Sequence, residues 1–461
     1  MNRNRPAGII SLTADRDPAA GRKEIADMNE TPVKPENVFR IRNYRLVFFG
    51  ALVSELGALL YNFAVSFYIL QISGNNAFLQ GLYLSLCSVA LLLFTPVGGV
   101  LGDRFSKARI MYLCDFAKGG TIILATVLMI LFPEADAHIV ILFALGIIGN
   151  IISGIFNPTS GALIPHIVEE EKLQQANSYF TIKSALEGIL GVVLAGILYA
   201  ALPVHTLFFM VGAAFLASGV SEMLIRCPHT PSPDRLTLRT AVQDMGDGLK
   251  YLKTQKAILA LLGSVVFVNF FFAPVSGNFI PYFVRTDLAD APSYLLDRVL
   301  TPELWSSVIS VCVGIGSLLG AAVLSSRKPA EKCGHAIAVR LCICAVIIVS
   351  LAFSYWLLVD RGTALNFFLV FFCAGSFATG IMLSAINIPV TTATMRIVDK
   401  DKLSKVNSII SVGSQAMIPV ASVIAGAVIQ SLGSSMLLFV CSAGFTVTAV
   451  TLLMNKPVRD L

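Results

Sequence analysis

The chain has 461 residues, of which 56% are hydrophobic and only 13% charged, with a mean hydropathy of +0.77. A soluble domain carries about a quarter charged residues, so this composition excludes a water-soluble globular protein and makes lipid the solvent. The net charge of +6 does not call for nucleic acid, because the basic residues are distributed by membrane side and form no single binding face.

In chain order, residues 1–43 are polar and of mixed charge, with no apolar core of a signal peptide. They read as a disordered cytoplasmic N-terminus in which Met28 is an alternative start. A helix needs about 20 apolar residues to cross the hydrocarbon core. Twelve segments meet that length: 44–72, 77–101, 109–132, 138–162, 174–202, 205–225, 257–284, 302–325, 335–359, 364–389, 403–431 and 434–454. The expected fold class is therefore all-α integral membrane, with one six-helix bundle over 44–225 and a second over 257–454. Tight turns at Ser73-Gly74-Asn75 and Leu432-Gly433-Ser434 join spans with almost no loop. The linker 226–256 opens with Pro228, Pro231 and Pro233. It then reads as an interfacial helix capped by Thr237, with Leu238, Val242, Met245, Leu249 and Leu252 at helical spacing. Residues 455–461 form a cytoplasmic tail.

Lysine and arginine placement sets the orientation. With the N-terminus inside, 28 of the 34 basic residues fall on cytoplasmic segments, while Arg285, Arg298 and Arg361 fall outside. Lys118, Lys183 and Arg340 lie within spans. Both termini are thus expected in the cytoplasm of a multi-pass inner-membrane protein. An internal repeat supports the count: residues 156–198 match 386–428 without gaps, with Asn157/Asn387, Lys172/Lys402, Asn177/Asn407 and Gly196/Gly426 identical. Six-span halves repeated in the same orientation belong to transporters that rock about a central site.

Nothing points to hydrolysis or to a cofactor. The chain lacks a G-x-x-x-x-G-K-[ST] phosphate loop, an H-E-x-x-H pair and a G-x-S-x-G elbow. Its nine cysteines show no C-x-x-C spacing, and most fall in apolar runs, so no metal is expected. The protein reads as a non-enzyme.

Between spans 2 and 3 stands Gly99-Val-Leu-Gly-Asp103-Arg104-Phe-Ser-Lys107-Ala-Arg109. It resembles the G-x-x-x-D-R-x-G-R-R loop of the major facilitator superfamily through Gly99, Asp103, Arg104 and Arg109. Small residues let helices approach, and charges in such a loop can latch an inner gate. Further stretches resemble the macrolide-efflux and siderophore-exporter (drug–proton antiporter) branch: Asn43-Tyr44-Arg45, Ser54-Glu55-Leu56-Gly57, Asp115-Phe-Ala-Lys118, Phe156-Asn157-Pro158, Leu173-Gln-Gln-Ala-Asn177-Ser178, Gly248-Leu-Lys-Tyr251 and Gly314-Ile-Gly316-Ser-Leu-Leu-Gly320. The resemblance implies a major facilitator fold and alternating access. Span 4 has no arginine and Val192 stands where an antiporter motif would put proline, so proton antiport does not transfer with the fold.

An ionisable group at the bilayer centre costs at least ~2.5 kcal/mol unless paired or hydrated. Asp115/Lys118 and Lys183/Glu187 stand three and four residues apart and can pair on one helix face. Glu55, roughly 16 Å into span 1 at the helical rise, has no partner on its own helix. These five residues are the proton-coupling candidates. The resemblance implies that spans 1, 4, 7 and 10 line the cavity, through Tyr61, Asn62, Asn150, Asn157, Asn269, Asn278, Ser376, Thr379 and Asn387. Phe267, Phe270, Phe271, Phe272, Phe371, Phe372 and Phe377 accompany them. An aromatic pocket with few charges suits an amphipathic substrate. The expected function is export of such molecules against protons by a monomer contacting only substrate, protons and membrane lipids. A lipid or lysolipid flippase of the same fold, and a transporter-like sensor that moves nothing, stay open.

Overall fold

The computed structural model describes residues 37–169, 172–226, 246, 250, 252–253, 255–325, 333–362, 364–398 and 403–459. The expected N-terminal tail and most of the expected surface helix from Thr237 to Leu252 lie outside these residues, as does the side chain of Asp103. Among the described residues, twelve helices are long and apolar enough to cross a membrane: α1 Arg42–Ile72, α2 Ala77–Gly102, α3 Lys107–Leu131, α4 Ala135–Ile167, α5 Gln175–Ala201, α6 Val204–Met223, α7 Ile258–Leu288, α8 Pro302–Leu324, α9 Gly334–Leu358, α10 Leu365–Thr391, α11 Val412–Leu432 and α12 Ser434–Met454. Each matches a predicted span. Their outward faces carry large apolar side chains such as Leu93, Leu131, Val346 and Phe367, the surface that lipid requires.

Two helices depart from straight spans at repeat-related positions. In α5 a π-helical turn, Glu187–Gly191, separates Leu173–Leu186 from Val192–Ala201. In α11 the helix stops at Gln415 and resumes at Ile418, because Pro419 has no N–H for the carbonyl four residues back. Glu187 and Met417 are counterparts in the 230-residue repeat, so both halves deform at the same depth. The sequence placed Arg285 in an outside loop; instead α7 continues through π turns Val275–Phe279 and Val284–Leu288. Arg285 therefore sits in the last turn of α7, 3.8 Å from Glu303.

Glycines set how closely the helices pack. A β-carbon at Gly154 of α4 would stand 2.7 Å from the Leu91 carbonyl oxygen of α2, and one at Gly380 of α10 would overlap the Val313 carbonyl of α8. Pairs α2/α4 and α8/α10 are thus repeat-related. The two halves meet at the end of the molecule that carries the 73–76 and 433 turns. There Gly81 lies against the Ser422 carbonyl, a β-carbon at Gly426 would stand 2.5 Å from the Ala77 carbonyl oxygen, and Gly196 packs on Ser307. Hydrogen bonds reinforce the seam: Ala77 N donates to Gln430 Oε1 (2.9 Å), Gln80 Nε2 to the Gly277 carbonyl (3.4 Å) and Ser307 Oγ to the Val192 carbonyl (2.8 Å). The repeat pair Gly196/Gly426 therefore faces the opposite half on both sides. At the other end a 3-10 turn, Val38–Arg40, leads into α1. Val38 N donates to Gln175 Oε1 and Tyr44 Oη to the Ala176 carbonyl, which fastens the start of α1 to the start of α5.

Candidate functional site

Each half holds a cavity among its helices. In the first half, Ala58, Tyr61 and Asn62 of α1, Leu91 of α2, Lys118 and Ile122 of α3, and α4 from Leu145 to Asn157 surround about 220 Å³. Tyr61, Asn62, Asn150 and Asn157, all expected cavity residues, come together here. They are joined by Lys118, which the sequence had assigned to proton coupling. Asn150 and Asn157, two helical turns apart, share a face of α4, and Asn150 Nδ2 also donates to the Gly146 carbonyl of its own helix (2.9 Å). Lys118 Nζ donates to Ser153 Oγ at 2.7 Å and lies 4.8 Å from the Phe215 ring centre. Lys118 thus reaches toward α4 and α6 while its charge still acts on Asp115, one helical turn away.

The second half has its counterpart among α7, α8, α9, α10 and α12. Here Phe272, Phe279, Ile309, Ile348, Phe368 and Phe372 dominate a cavity of about 180 Å³. Its polar groups are hydroxyls: Ser276, Ser310, Ser376 and Thr379. The stack of Phe279, Phe283, Phe368 and Phe372 with Tyr355 builds its wall, with ring centres 5.3 to 6.3 Å apart. Ser376 and Thr379 were expected. Phe267 and Phe371 instead point outward, at 57% and 42% exposure.

Two expected cavity asparagines serve helix packing. Asn269 Nδ2 donates to the Ser414 carbonyl at 2.9 Å and fully buried Asn278 to the Ser422 carbonyl at 3.3 Å, both on α11. Asn387 is exposed on α10 beyond the cavity.

The third element is a charged triad. Lys183 of α5, 1% exposed, lies 2.8 Å from Glu55 of α1 and 3.3 Å from Glu187. The sequence left Glu55 without a partner; its partner comes from another helix, which spacing along one helix does not show. Glu55 keeps 47% exposure while Glu187 has 5%. Glu187 opens the π turn, a distortion that often marks functional positions. Its repeat counterparts Gly413 and Met417 carry no charge, so the triad belongs to one half. At the end opposite the closed seam, Arg104 and Arg109 are exposed at the junction of α2 and α3. Beside them Gly102 packs on Thr159, and Gly99 has open space around it.

One buried acid escaped the sequence reading. Glu222, inside the sixth predicted span, has no exposure at all, and neither of its carboxyl oxygens has a hydrogen-bond partner among the described residues. Only the antiparallel packing of α6 on α3 reveals its neighbour: Gly119 faces Gly212, Phe116 faces Gly219, and Asp115 reaches Glu222.

A family model described as Major Facilitator Superfamily matches residues 47–371. The chain is 22% identical over 384 residues to the uncharacterized MFS-type transporter YkuC of Bacillus subtilis (strain 168), covering 80% of this chain and 82% of that protein. It is 22% identical over 250 residues to macrolide efflux protein A of Streptococcus pyogenes, covering 52% of this chain and 59% of that one. Among solved structures, a bacterial homologue of the iron transporter ferroportin in an inward-facing state superposes with a TM-score of 0.67 at 16% identity, over 91% of this chain and all of that one. That likeness concerns the fold.

Proposed function

The chain belongs to the major facilitator superfamily, and from that premise we propose that it exports amphipathic small molecules by alternating access, in exchange for protons. The observation that carries this reading is the opposite chemistry of the two repeat-related cavities. One offers amides, a phenol and an ammonium group; the other offers phenylalanine rings and a few hydroxyls. A molecule with a hydrogen-bonding head and an apolar body uses both, whereas a sugar or an amino acid would leave the aromatic half unmatched. The similarity to a macrolide efflux protein supports export of this kind.

In this reading both termini are cytoplasmic in the inner membrane, following the 28-to-3 bias of basic residues. The seam at Gly81, Ser422, Gly426 and Ala77 is then the outer gate, and substrate loads from the cytoplasmic end. Gly99, Asp103, Arg104 and Arg109 latch the inner gate in the opposite state. The triad couples protons. Lys183 between two carboxylates leaves one net negative charge, and half-exposed Glu55 is the member a proton can reach. Protonating Glu55 removes its attraction for Lys183 and loosens α1 from α5. Asp115 and Lys118 act in the same bundle. Each copy holds both cavities and the triad, so a monomer suffices.

A second reading has its own observation. Between α7 and α12 a cleft of about 520 Å³, lined by Gly263, Phe267, Phe271, Gly444 and Val447, places exposed Phe267 and Val447 on the outer surface. It offers a lateral route for a lipid-like substrate. Flux of amphipathic substrates into proteoliposomes, with and without a pH gradient, decides between the two. Antiport requires gradient-driven accumulation in the wild type. It also requires that Glu55→Gln, which mimics the protonated acid, keep downhill exchange and lose uphill accumulation. Flux indifferent to the gradient favours the flippase. Uphill pumping by Glu55→Gln with an unchanged pH profile removes Glu55 as the carrier.

A further inference from the structure

Asp115 of α3 and Glu222 of α6 form a second acidic pair in the first half, with Asp115 one helical turn from Lys118. Asp115 is 2% exposed and Glu222 fully buried. One oxygen of Asp115 and both of Glu222 lack a hydrogen-bond partner among the described residues. From α1, Gly50 approaches so closely that a β-carbon there would stand 3.3 Å from Glu222 Cγ. From α6, Ser218 lies beside Asp115 and donates its hydroxyl to the Gly50 carbonyl at 2.9 Å. From α3 come the Cys114 thiol and Lys118, whose ammonium group is held by Ser153 of α4.

Two ionised carboxylates packed there would leave both Glu222 oxygens and one Asp115 oxygen without a donor among the described residues. An uncompensated buried charge is among the most expensive arrangements a protein can hold. A single proton resolves this, because it supplies the missing hydrogen bond between the carboxyl groups and reduces their joint charge to minus one. Lys118, one helical turn from Asp115, balances that charge. We propose that Asp115 and Glu222 hold one proton between them, at a site separate from the Glu55–Lys183–Glu187 triad. Lys118 belongs both to this neutral cluster and to the wall of the polar cavity. A ligand that draws the ammonium group into the cavity therefore disturbs the balance that keeps the proton in place. The site rests on the burial of the two acids and on their unpartnered carboxyl oxygens; only its part in coupling rests on the proposed transport.

Infrared spectroscopy of the full-length protein in lipid nanodiscs reads the proton directly. At neutral pH the wild type is expected to show the carbonyl stretch of a buried carboxylic acid. Glu222→Gln and Asp115→Asn are each expected to abolish it, since the new amide donates an N–H to the remaining carboxylate. Glu55→Gln and Glu187→Gln are expected to leave it in place. Carbon-13 labelling of glutamate and aspartate carboxyls should shift the band in unmutated protein, which keeps the test valid should a variant fail to fold. Absence of the band from the wild type, or its survival in both Glu222→Gln and Asp115→Asn, overturns the proposal. In proteoliposomes Glu222→Gln should lose part of the proton movement that accompanies substrate, and unchanged proton movement removes the coupling role. The band in a protein that carries no substrate upholds the proton site and sinks the transport reading.

Discussion

Replacing Lys183 by methionine should be the most damaging single change in the triad, and the structure orders its neighbours. Methionine fills the space of the lysine stem but leaves Glu187, 5% exposed, with no cation within reach among the described residues. Removing one partner of a buried ion pair costs about 3–5 kcal/mol, which raises the unfolded fraction by about a hundred- to a few thousand-fold. Glu187→Gln is milder. Lys183 keeps Glu55 at 2.8 Å and the glutamine oxygen still accepts a hydrogen bond, so the loss is that of one charged bond, about 1.5–3 kcal/mol. Glu55→Gln is milder again, because at 47% exposure its ion pair is screened and contributes about 0–1 kcal/mol. The double variant Lys183→Met with Glu187→Gln leaves no charge buried and should regain most of what Lys183→Met loses. Unfolding free energies in mixed micelles, with the yield of monodisperse protein as a control, measure all four. Lys183→Met as stable as the wild type, or a double variant no better than Lys183→Met, would refute the view that burial of an unpaired charge sets the cost.

The seam between the halves allows a second test. Gly81→Val places a branched side chain on the Ser422 carbonyl, so it should insert and purify normally yet hold the closed end apart, read as raised thiol labelling of a cysteine substituted at Ala77 and as lost transport. Labelling and transport equal to the wild type would mean that α2 and α11 separate without consequence. For topology, reporter fusions within 230–250 and at the C-terminus should report the cytoplasm, and fusions within 286–300 the opposite side. A C-terminus on the far side would remove the basis for calling the closed seam an outer gate.

Apolar length, basic-residue bias and the 230-residue repeat are one-dimensional signals, and they determined the number of helices and the two-bundle plan, while the motif resemblance through Gly99, Asp103, Arg104 and Arg109 pointed to the family. A span is long because the bilayer is thick, so its ends can be read without knowing its neighbours. Tyr61, Asn62, Asn150 and Asn157, which the resemblance placed on cavity-lining spans, come together around one cavity in the structure. What the sequence by itself did not determine is which helix each polar side chain turns toward. Asn269 and Asn278 looked like cavity residues, but their amides donate to the Ser414 and Ser422 carbonyls of α11. Glu55 looked solitary because Lys183 is 128 residues away along the chain. Glu222 went unremarked because its neighbour Asp115 lies on an antiparallel helix. In a membrane every buried charge needs a partner, and only the tertiary structure decided which partner it is, because helix packing brings distant residues within the few ångströms over which carboxylates, ammonium groups and amides interact.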